Sequence, residues 1–512
     1  MHVKTEVLAS FYQDSVILMR IAGQVRTMSG IQQAALFMGT PSNHVLLEQH
    51  GLATEEGKKA GPNDLILTVV GHQPSAVDSA LEEAQKLLRE RRRVVEETGE
   101  YRPRTLDAAL RLMPQANLAA ISVPGAYAKY EALKALRRRL HVFLFSDNVP
   151  LEAEIELKRE ALKRGLFCMG PDQGTAYVNG VGLGFANIVP RGRVGCVAAS
   201  GTGLQAVAVH LATLGEGISQ GIGVGGRDLS LEVGGVMTFA ALEALATDPQ
   251  TEAVVLISKP PHPSVAAKLE TVLGNFPKPV LGCCPGAPTQ FDPHKVLQTA
   301  TLDEAAEVAV AFLHQQALRS RYFSDPVAVK ARLGRVAADP KAFEASTIVG
   351  LFTGGTLAHE TRHVLADLLG PSDDAGPYQV IDLGDDRFTV GRPHPMIDSQ
   401  SRTDFILRAA ESSAMGVLLL DFVLGRGAHP NPAQPVVEAL RSARSKTNAA
   451  GRGLAVVATV VGTPQDPQDS LKQIRLLEAG GVEVLPTNAE AARFAALLVK
   501  PELKHRLLEK PE

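Results

Sequence analysis

Twice in this chain an apolar stretch runs into a turn of small, hydroxyl-bearing residues that opens a helix. Arg193 to Ala199 reads as a strand leading to Ser200, Gly201, Thr202 and Gly203, then a helix from Leu204 to Leu214. Thr347 to Phe352 leads in the same way to Thr353, Gly354, Gly355 and Thr356, then a helix through Leu369. After each helix comes another strand and a polar, Gly-rich loop, at Gly223–Asp228 and Asp382–Asp386. A helix and a strand follow each loop, the strands being Ala253–Ile257 and Val417–Leu420. The two blocks start about one domain length apart. Self-similarity at that period predicts two flavodoxin-like domains from one ancestral unit. A charged, Pro-containing linker, roughly 319–341, lies between them.

The rest of the chain is also α/β. Val3–Ala9, Gln32–Met38 and Leu65–Val70 read as strands, and Gln13–Met28, Pro41–Gln49 and Ser75–Arg91 as helices. This β-α-β-α-β-α order fits a small ferredoxin-like or split α/β unit. From Leu106 the pattern becomes regular: strands at Asn117–Val123, His141–Phe145 and Leu166–Met169 alternate with helices at Tyr127–Arg138 and Leu151–Lys163. Continuous apolar strands between helices predict a parallel sheet covered on both faces. The expected domains are 1–102, 103–190, 191–335 and 342–500.

Composition removes whole classes of function. Of 512 residues, 45% are hydrophobic, enough to offset chain entropy in several packed domains. The net charge of −3 offers nothing to nucleic acid or an anionic membrane. No apolar run reaches the roughly 18 residues of a membrane span, and the start, Met1 to Glu6, has no signal-peptide apolar core. A cytoplasmic protein is expected. Cys168, Cys196, Cys283 and Cys284 lack metal-ligand spacing and form no disulfide framework. Buried reduced thiols are expected, and no metal.

A strand, a small-residue turn and a helix together can bind an anion. The first N–H groups of a helix have no internal partner, and the helix dipole favours negative charge there. One such turn is ordinarily just a helix cap. Two at equivalent places in two repeats point to helices aimed at one phosphate, held by Ser200, Gly201, Thr202, Gly203, Thr353, Gly354, Gly355 and Thr356. On the stiff loop Gly391–Asp398, Arg392 suits phosphate or carboxylate and His394 suits proton transfer, with Asp398 close by. Gly225, Gly226, Arg227 and Asp228 are candidates for a substrate cleft. His210 reads as a core histidine, His262 as a loop residue, and the Cys283–Cys284 pair as packing.

These blocks resemble the succinyl-CoA synthetase superfamily. Asn117–Pro124, Phe145–Pro150 and Met169–Asp172 match successive segments of the α-subunit's CoA-binding domain. Arg193–Thr202, Gly223–Asp228, Ala244–Leu256 and Lys278–Val280 match its second domain in order, and the block from Thr347 resembles the β-subunit's C-terminal domain. The resemblance implies a Rossmann-like CoA-binding domain followed by two flavodoxin-like domains, fused in one chain behind a small N-terminal α/β unit. CoA or nucleotide would then lie near Tyr12, Gln13, Asp14, Ser15, Val123, Pro124, Asp147, Asn148, Pro171 and Asp172. Within the superfamily the wording of Tyr12–Val16, Met38–Pro41, Phe145–Val149, Gly225–Leu229 and Gly391–Asp398 is similar to that of FdrA proteins.

The chain departs from the synthetases at chemically important places. The Gly-His-Ala-Gly stretch that carries their phosphorylated His is absent, and the corresponding region, Gly282–His294, offers His294 alone. Ser258 and Lys259 stand where a Glu is expected after the strand ending at Ile257. No segment resembles an ATP-grasp domain, and Phe11–Asp14 replaces the Gly-rich turn after the first Rossmann strand. The expectation is an FdrA-type acyl-CoA synthetase-like protein handling phosphate or acyl phosphate between two helix N-termini, without its own phosphohistidine. Arg392 would neutralise charge and His394 would move a proton. The alternatives are a subunit of an oxamate (oxalurate) carbamoyltransferase in allantoin breakdown, and a non-catalytic ligand-binding regulatory subunit. CoA, phosphate or acyl phosphate would be the ligands, and an acyl or carbamoyl compound the substrate. Separately encoded partners, a homodimer, or both are expected.

Overall fold

The computed structural model describes the chain apart from positions 12, 14, 50, 98–102, 285–295, 318–321, 338–346, 373–375, 390–393, 413–414 and 510–512. It divides into two bodies, residues 1–109 with 385–398, and residues 110–384 with 399–512.

The first body starts with β1 (His2–Leu8), α1 (Ser15–Arg26), β2 (Ile31–Met38), α2 (Pro41–Gln49), β3 (Leu65–Gly71) and α3 (Pro74–Glu97). Its sheet has the order β1-β3-β2, and both outer strands run antiparallel to β3. Every residue of β3 is buried, because α1 and α3 cover one face and Leu47 of α2, with Leu52 and Ala60, packs on Ile66 and Val70 of the other. Leu18, Ile21 and Val25 of α1 and Val77, Leu81 and Leu88 of α3 pack on Leu36, Leu65, Leu67 and Val69. β1 therefore belongs to an antiparallel sheet of its own. The expectation that Phe11–Asp14 stands where the turn of a first Rossmann strand would be is corrected: no parallel sheet contains β1.

The second body begins with α4 (Leu106–Leu112), β4 (Leu118–Ile121), α5 (Gly125–Arg137), β5 (His141–Leu144), α6 (Leu151–Lys163) and β6 (Cys168–Met169). β4, β5 and β6 form a parallel three-stranded sheet. A hairpin follows, β7 (Thr175–Val178) and β8 (Val181–Gly184). The first repeat is β9 (Arg191–Ala198), α7 (Gly201–Thr213), β10 (Ile218–Gly223), α8 (Val236–Thr247), β11 (Ala253–Ile257), α9 (Pro263–Leu273), β12 (Val280–Cys283), β13 (Leu297–Thr299) and α10 (Leu302–Leu313). After α11 (Pro326–Ala337) the second repeat is β14 (Thr347–Phe352), α12 (Gly355–Leu369), β15 (Tyr378–Asp382), α13 (Asp386–Thr389), α14 (Gln400–Ala409), β16 (Met415–Val423), α15 (Ala433–Ala449), β17 (Ala455–Val461), α16 (Ser470–Ala479), β18 (Glu483–Leu485) and α17 (Asn488–Val499). Within this run α13 is part of the first body.

The two repeats share one topology. Their parallel strands are ordered β10-β9-β11-β12-β13 and β15-β14-β16-β17-β18, and the β7–β8 hairpin extends the first sheet beside β10. Numbered within each repeat, both orders are the 2-1-3-4-5 of flavodoxin-like sheets. The apolar patterns explain the burial: all nine residues of β16 and all seven of β17 are buried, as central strands covered on both faces require. Among the described residues no helix is long and apolar enough to cross a membrane.

A buried ionic cluster ties the β4–β6 layer to the first repeat. Lys158 of α6 is fully buried, and its ammonium donates to Glu154 Oε1 (2.7 Å), Asp228 Oδ1 (2.8 Å) and the Val224 carbonyl (2.8 Å). All three protons are used. Asp228 Oδ2 accepts from the Thr238 N–H (2.8 Å) and hydroxyl (2.7 Å), so it also anchors the start of α8. Arg227 Nε donates to Glu154 Oε2 (2.7 Å). Removing the cation leaves the buried Asp228 without its counter-charge and Glu154 with Arg227 alone. Lys158→Met should therefore cost about 3–5 kcal/mol of stability in urea unfolding, far more than an exposed Lys→Met change.

Candidate functional site

The two small-residue turns meet. Ser200 caps α7, its Oγ accepting the Gly203 N–H (3.0 Å), and the same hydroxyl is hydrogen-bonded to Thr356 Oγ1 of α12. Glycine is needed for this approach. A Cβ on Gly354 would stand 3.1 Å from Thr202 Cβ, and one on Gly203 would stand 3.2 Å from Thr356 Cγ2. The helices thus meet at their N-termini with only the small side chains of Ser200, Thr202 and Thr356 between them. The N–H groups of Gly201, Thr202, Gly355 and Thr356 have no protein acceptor among the described residues. Ser200, Gly201, Thr202, Gly355 and Thr356 are all partly exposed.

The second turn is not open along its whole length. Asp421, fully buried in β16, accepts from the Thr353 N–H (2.7 Å), the Thr353 hydroxyl (3.1 Å to each oxygen) and the Gly354 N–H (2.8 Å). A protein carboxylate thus caps that end of the turn as an anion would. Burial pushes the Asp421 carboxyl above its ordinary range, against the pull of Arg402 and of these N–H groups. Arg402 of α14 lies behind it, 3% exposed, with Nη2 3.8 Å from Asp421 Oδ1. The sequence reading missed Asp421. Its signal is a lone charge within the apolar run Met415–Val423.

One turn further along α12, Glu360 is buried, accepting from the Leu302 N–H (2.6 Å) and from Asn488 Nδ2 (2.8 Å). Burial, and then the nearby charge of Asp303, push its carboxyl up to about 7. Asp303 in turn accepts from the Thr487 hydroxyl (2.7 Å).

The other sequence candidates fall into separate places. Val123 and Pro124 follow β4, Asp147 and Asn148 follow β5, and Pro171 and Asp172 follow β6. The structure brings these three loops together at the carboxyl ends of one parallel sheet. The Asp172 N–H donates to the Ser146 carbonyl (2.9 Å). A Cβ on Gly125 would lie 2.4 Å from the Asn148 carbonyl oxygen. Pro124, Asp147, Asn148 and Asp172 are exposed along this rim. Gln13 and Ser15 belong to the first body, and Tyr12 and Asp14 lie outside the described residues.

Gly225 is buried, Gly226 and Arg227 are exposed, and Asp228 is spent inside the Lys158 cluster. For Asp228 the substrate-cleft expectation is corrected, because its oxygens serve the protein's own donors. Gly391, Arg392 and Pro393 lie outside the described residues, as does His294. His394 and Asp398 are grouped with the first body, where Asp398 pairs with Arg26 at 3.2 Å. Cys168 and Cys196 are buried thiols, both pushed up to about 12 by burial.

Two outcomes follow from this geometry. Gly354→Val should lower stability by about 1–3 kcal/mol through overpacking against Thr202. Gly334→Ala, in a helix with open space around the site, should be neutral or slightly stabilising in the same melting experiment. Glu360 gives a pH signature. Its folded carboxyl titrates above its unfolded value, so stability falls as pH rises from about 4.5 to about 7. Glu360→Gln should remove that fall, leaving the variant up to about 3 kcal/mol more stable than wild type above pH 7, with no gain below about pH 4. Urea unfolding across pH measures it.

Comparison with known proteins places the chain. A family model described as CoA-ligase matches residues 351–498, and one described as AllF, heavy metal-associated domain, matches residues 1–103. Residues 1–103 contain no cysteine, and among the described residues no three His, Cys, Asp or Glu side chains could share a metal ion. The metal in that description therefore has no fitting ligand set among the described residues. The α-subunit of an ADP-forming succinate–CoA ligase from Methanothermobacter thermautotrophicus is 30% identical over 146 residues, 28% of this chain and 48% of that subunit. Among solved structures, an ATP citrate lyase from Methanothrix soehngenii superposes over 80% of this chain and 86% of its own, at 11% identity and a TM-score of 0.35. Escherichia coli K12 has an uncharacterized protein, YahF, that is 37% identical over 515 aligned positions, covering 97% of this chain and 98% of its own. The protein is CoA-ligase-like, and the chain belongs to the FdrA family.

Proposed function

We propose that the protein handles a phosphoryl or acyl-phosphate group in a seat between the N-termini of α7 and α12. The observation that carries this reading is the Ser200–Thr356 contact flanked by four N–H groups that no described protein atom satisfies. Gly201, Thr202, Gly355 and Thr356 would supply backbone donors, and the Ser200, Thr202 and Thr356 hydroxyls would add more. Gly203 and Gly354 would keep the helices close. The partial positive charge of two helix ends suits both a phosphate and the charge that builds up as it leaves an acyl carbon. CoA is assigned to the exposed rim at Pro124, Asp147, Asn148 and Asp172. The chain would not phosphorylate a histidine of its own, since its sequence has neither the Gly-His-Ala-Gly stretch nor an ATP-grasp segment.

A second reading shares the seat. Carbamoyl phosphate is itself an acyl phosphate, and residues 1–103 match the AllF family model. In that reading the chain is a subunit of an oxamate (oxalurate) carbamoyltransferase working with separately encoded partners. Binding of inorganic, acetyl and carbamoyl phosphate to the full chain, followed by turnover with partner subunits added, separates an enzyme subunit from a passive binder.

Thr356→Val combined with Ser200→Ala should weaken phosphate binding by about tenfold or more while the protein stays folded. Unchanged affinity in a folded double variant would refute the seat. Incubation with γ-labelled ATP should leave no acid-labile label on the isolated chain, and stoichiometric label would refute the absence of a phosphohistidine step.

A further inference from the structure

Three acidic residues from three helices are buried together where the two repeats join. Asp303 lies in the first turn of α10, the last helix of the first repeat, while Glu360 lies on α12 and Glu490 on α17 of the second. They are 9%, 1% and 4% exposed. Glu360 Oε1 accepts the Leu302 N–H, the first of α10, at 2.6 Å, so a carboxylate of one repeat caps a helix of the other. Its Oε2 accepts from Asn488 Nδ2 (2.8 Å) at the start of α17. Asp303 Oδ2 accepts the hydroxyl of Thr487, which caps α17. Glu490 Oε1 accepts the Ser324 N–H (2.9 Å).

The charges at this junction do not balance. Among the described residues, α17 supplies one guanidinium, Arg493, whose Nη1 is 3.8 Å from Asp303 Oδ2 and donates to the Tyr322 carbonyl (2.9 Å). From α7 comes His210, with Nε2 3.3 Å from Glu307 of α10. From β12 comes the thiol of Cys283, pushed well up by burial and so uncharged. Three buried carboxylates beside one arginine are more negative charge than a buried joint holds without cost. Burial works against the Asp303 charge, yet Arg493 keeps that carboxyl below its ordinary range. Burial raises Glu490. Burial and then Asp303 raise Glu360 to about 7, against the pull of the Leu302 and Asn488 hydrogen bonds. The Asn488 amide suits both forms of Glu360, since it donates to the carboxylate and, turned over, accepts from the acid.

We infer that this junction is a proton-operated clamp between the two repeats. With the proton on Glu360, α10 of the first repeat is held against α12 and α17 of the second. Without it, ionised Glu360 and Asp303 repel across the joint, and α10 and α12 part far enough for water to reach them. The sign follows from linkage: the hold is complete below about pH 4.5 and is lost as pH rises through about 7. Because α12 also carries Thr356, the same opening slackens the Ser200–Thr356 contact. The inference requires no ligand at that contact and stands apart from the phosphate reading.

Native-state hydrogen exchange on the full chain tests it, at about pH 5.5 and about pH 7.5, with and without about 1 M urea, after correction for the intrinsic pH dependence of exchange. Opening of α10 and α12 in wild type should rise about 20-fold between the two pH values, as linkage requires of a carboxyl at about 7 when buried and about 4.5 when exposed. Dilute urea should change that opening little, because a local separation exposes little surface, and β16 and β17 should stay protected. Glu360→Gln, which resembles the protonated form, should abolish the rise. Equal opening of α10 and α12 at both pH values in wild type would overturn the clamp. So would opening that grows only in step with β16 and β17 and steeply with urea, which is unfolding of the whole body. A folded Glu360→Gln protein that keeps the rise would also refute it. Wild type alone decides the first two outcomes, whether or not the variant folds.

Discussion

Two helix N-termini meeting nose to nose is an unfavourable arrangement on its own. Each end carries a partial positive charge and unpaired N–H groups, so the pair repels until something negative or hydrogen-bond accepting lies between or beside them. Here the compensation is divided. Asp421 lies on the α12 side, Ser200 bridges to Thr356, and the N–H groups of Gly201, Thr202, Gly355 and Thr356 have no protein acceptor among the described residues. Steric demand is met by glycine on both helices. The two repeats are therefore held at a contact that side-chain packing alone would avoid, and the rest of the second body keeps them there.

That support is polar and buried. Gln205 of α7 donates to Asn187 Oδ1 and to the Leu424 carbonyl, both at 3.0 Å, linking the first repeat to the second. Asn187 donates to Asp466 (2.7 Å), which also accepts the Ile188 and Thr463 N–H groups (2.6 and 2.7 Å). Asp303, Glu360, Asn488 and Thr487 join α10, α12 and α17 in the same manner. Buried hydrogen-bond networks of this kind specify one docking geometry, whereas apolar faces would tolerate sliding. A seat formed from two repeats depends on that precision, since a displacement of about 1 Å matters to oriented groups.

Much of this was legible in the sequence because the signals were local. A strand, a small-residue turn and a helix leave a pattern within a dozen positions, and its recurrence gave both the flavodoxin-like repeats and the facing turns. The loops at Pro124, Asn148 and Asp172 were legible for the same reason: each follows an apolar strand. What stayed hidden depends on pairing between distant segments. Nothing near Val3–Ala9 says that this strand runs antiparallel to Leu65–Gly71 instead of entering a parallel sheet. Asp228 reads as a cleft residue until Lys158 is seen to end on it. Asp421 is a single polar letter in an apolar strand, and its meaning comes from the Thr353 turn that neighbours it in space.

The first body is assembled from two stretches of chain, residues 1–109 and 385–398, with Asp398 reaching back to Arg26 across 372 positions. During synthesis the short second stretch leaves the ribosome long after the first. At roughly 5–20 residues per second, that delay is on the order of 15–60 s. For that interval the nascent body lacks its closing segment, while the first flavodoxin-like repeat is already complete behind it. The order of assembly is thus written into the chain. Residues 1–109 therefore gain their closing segment only after the turn at Thr353 has emerged.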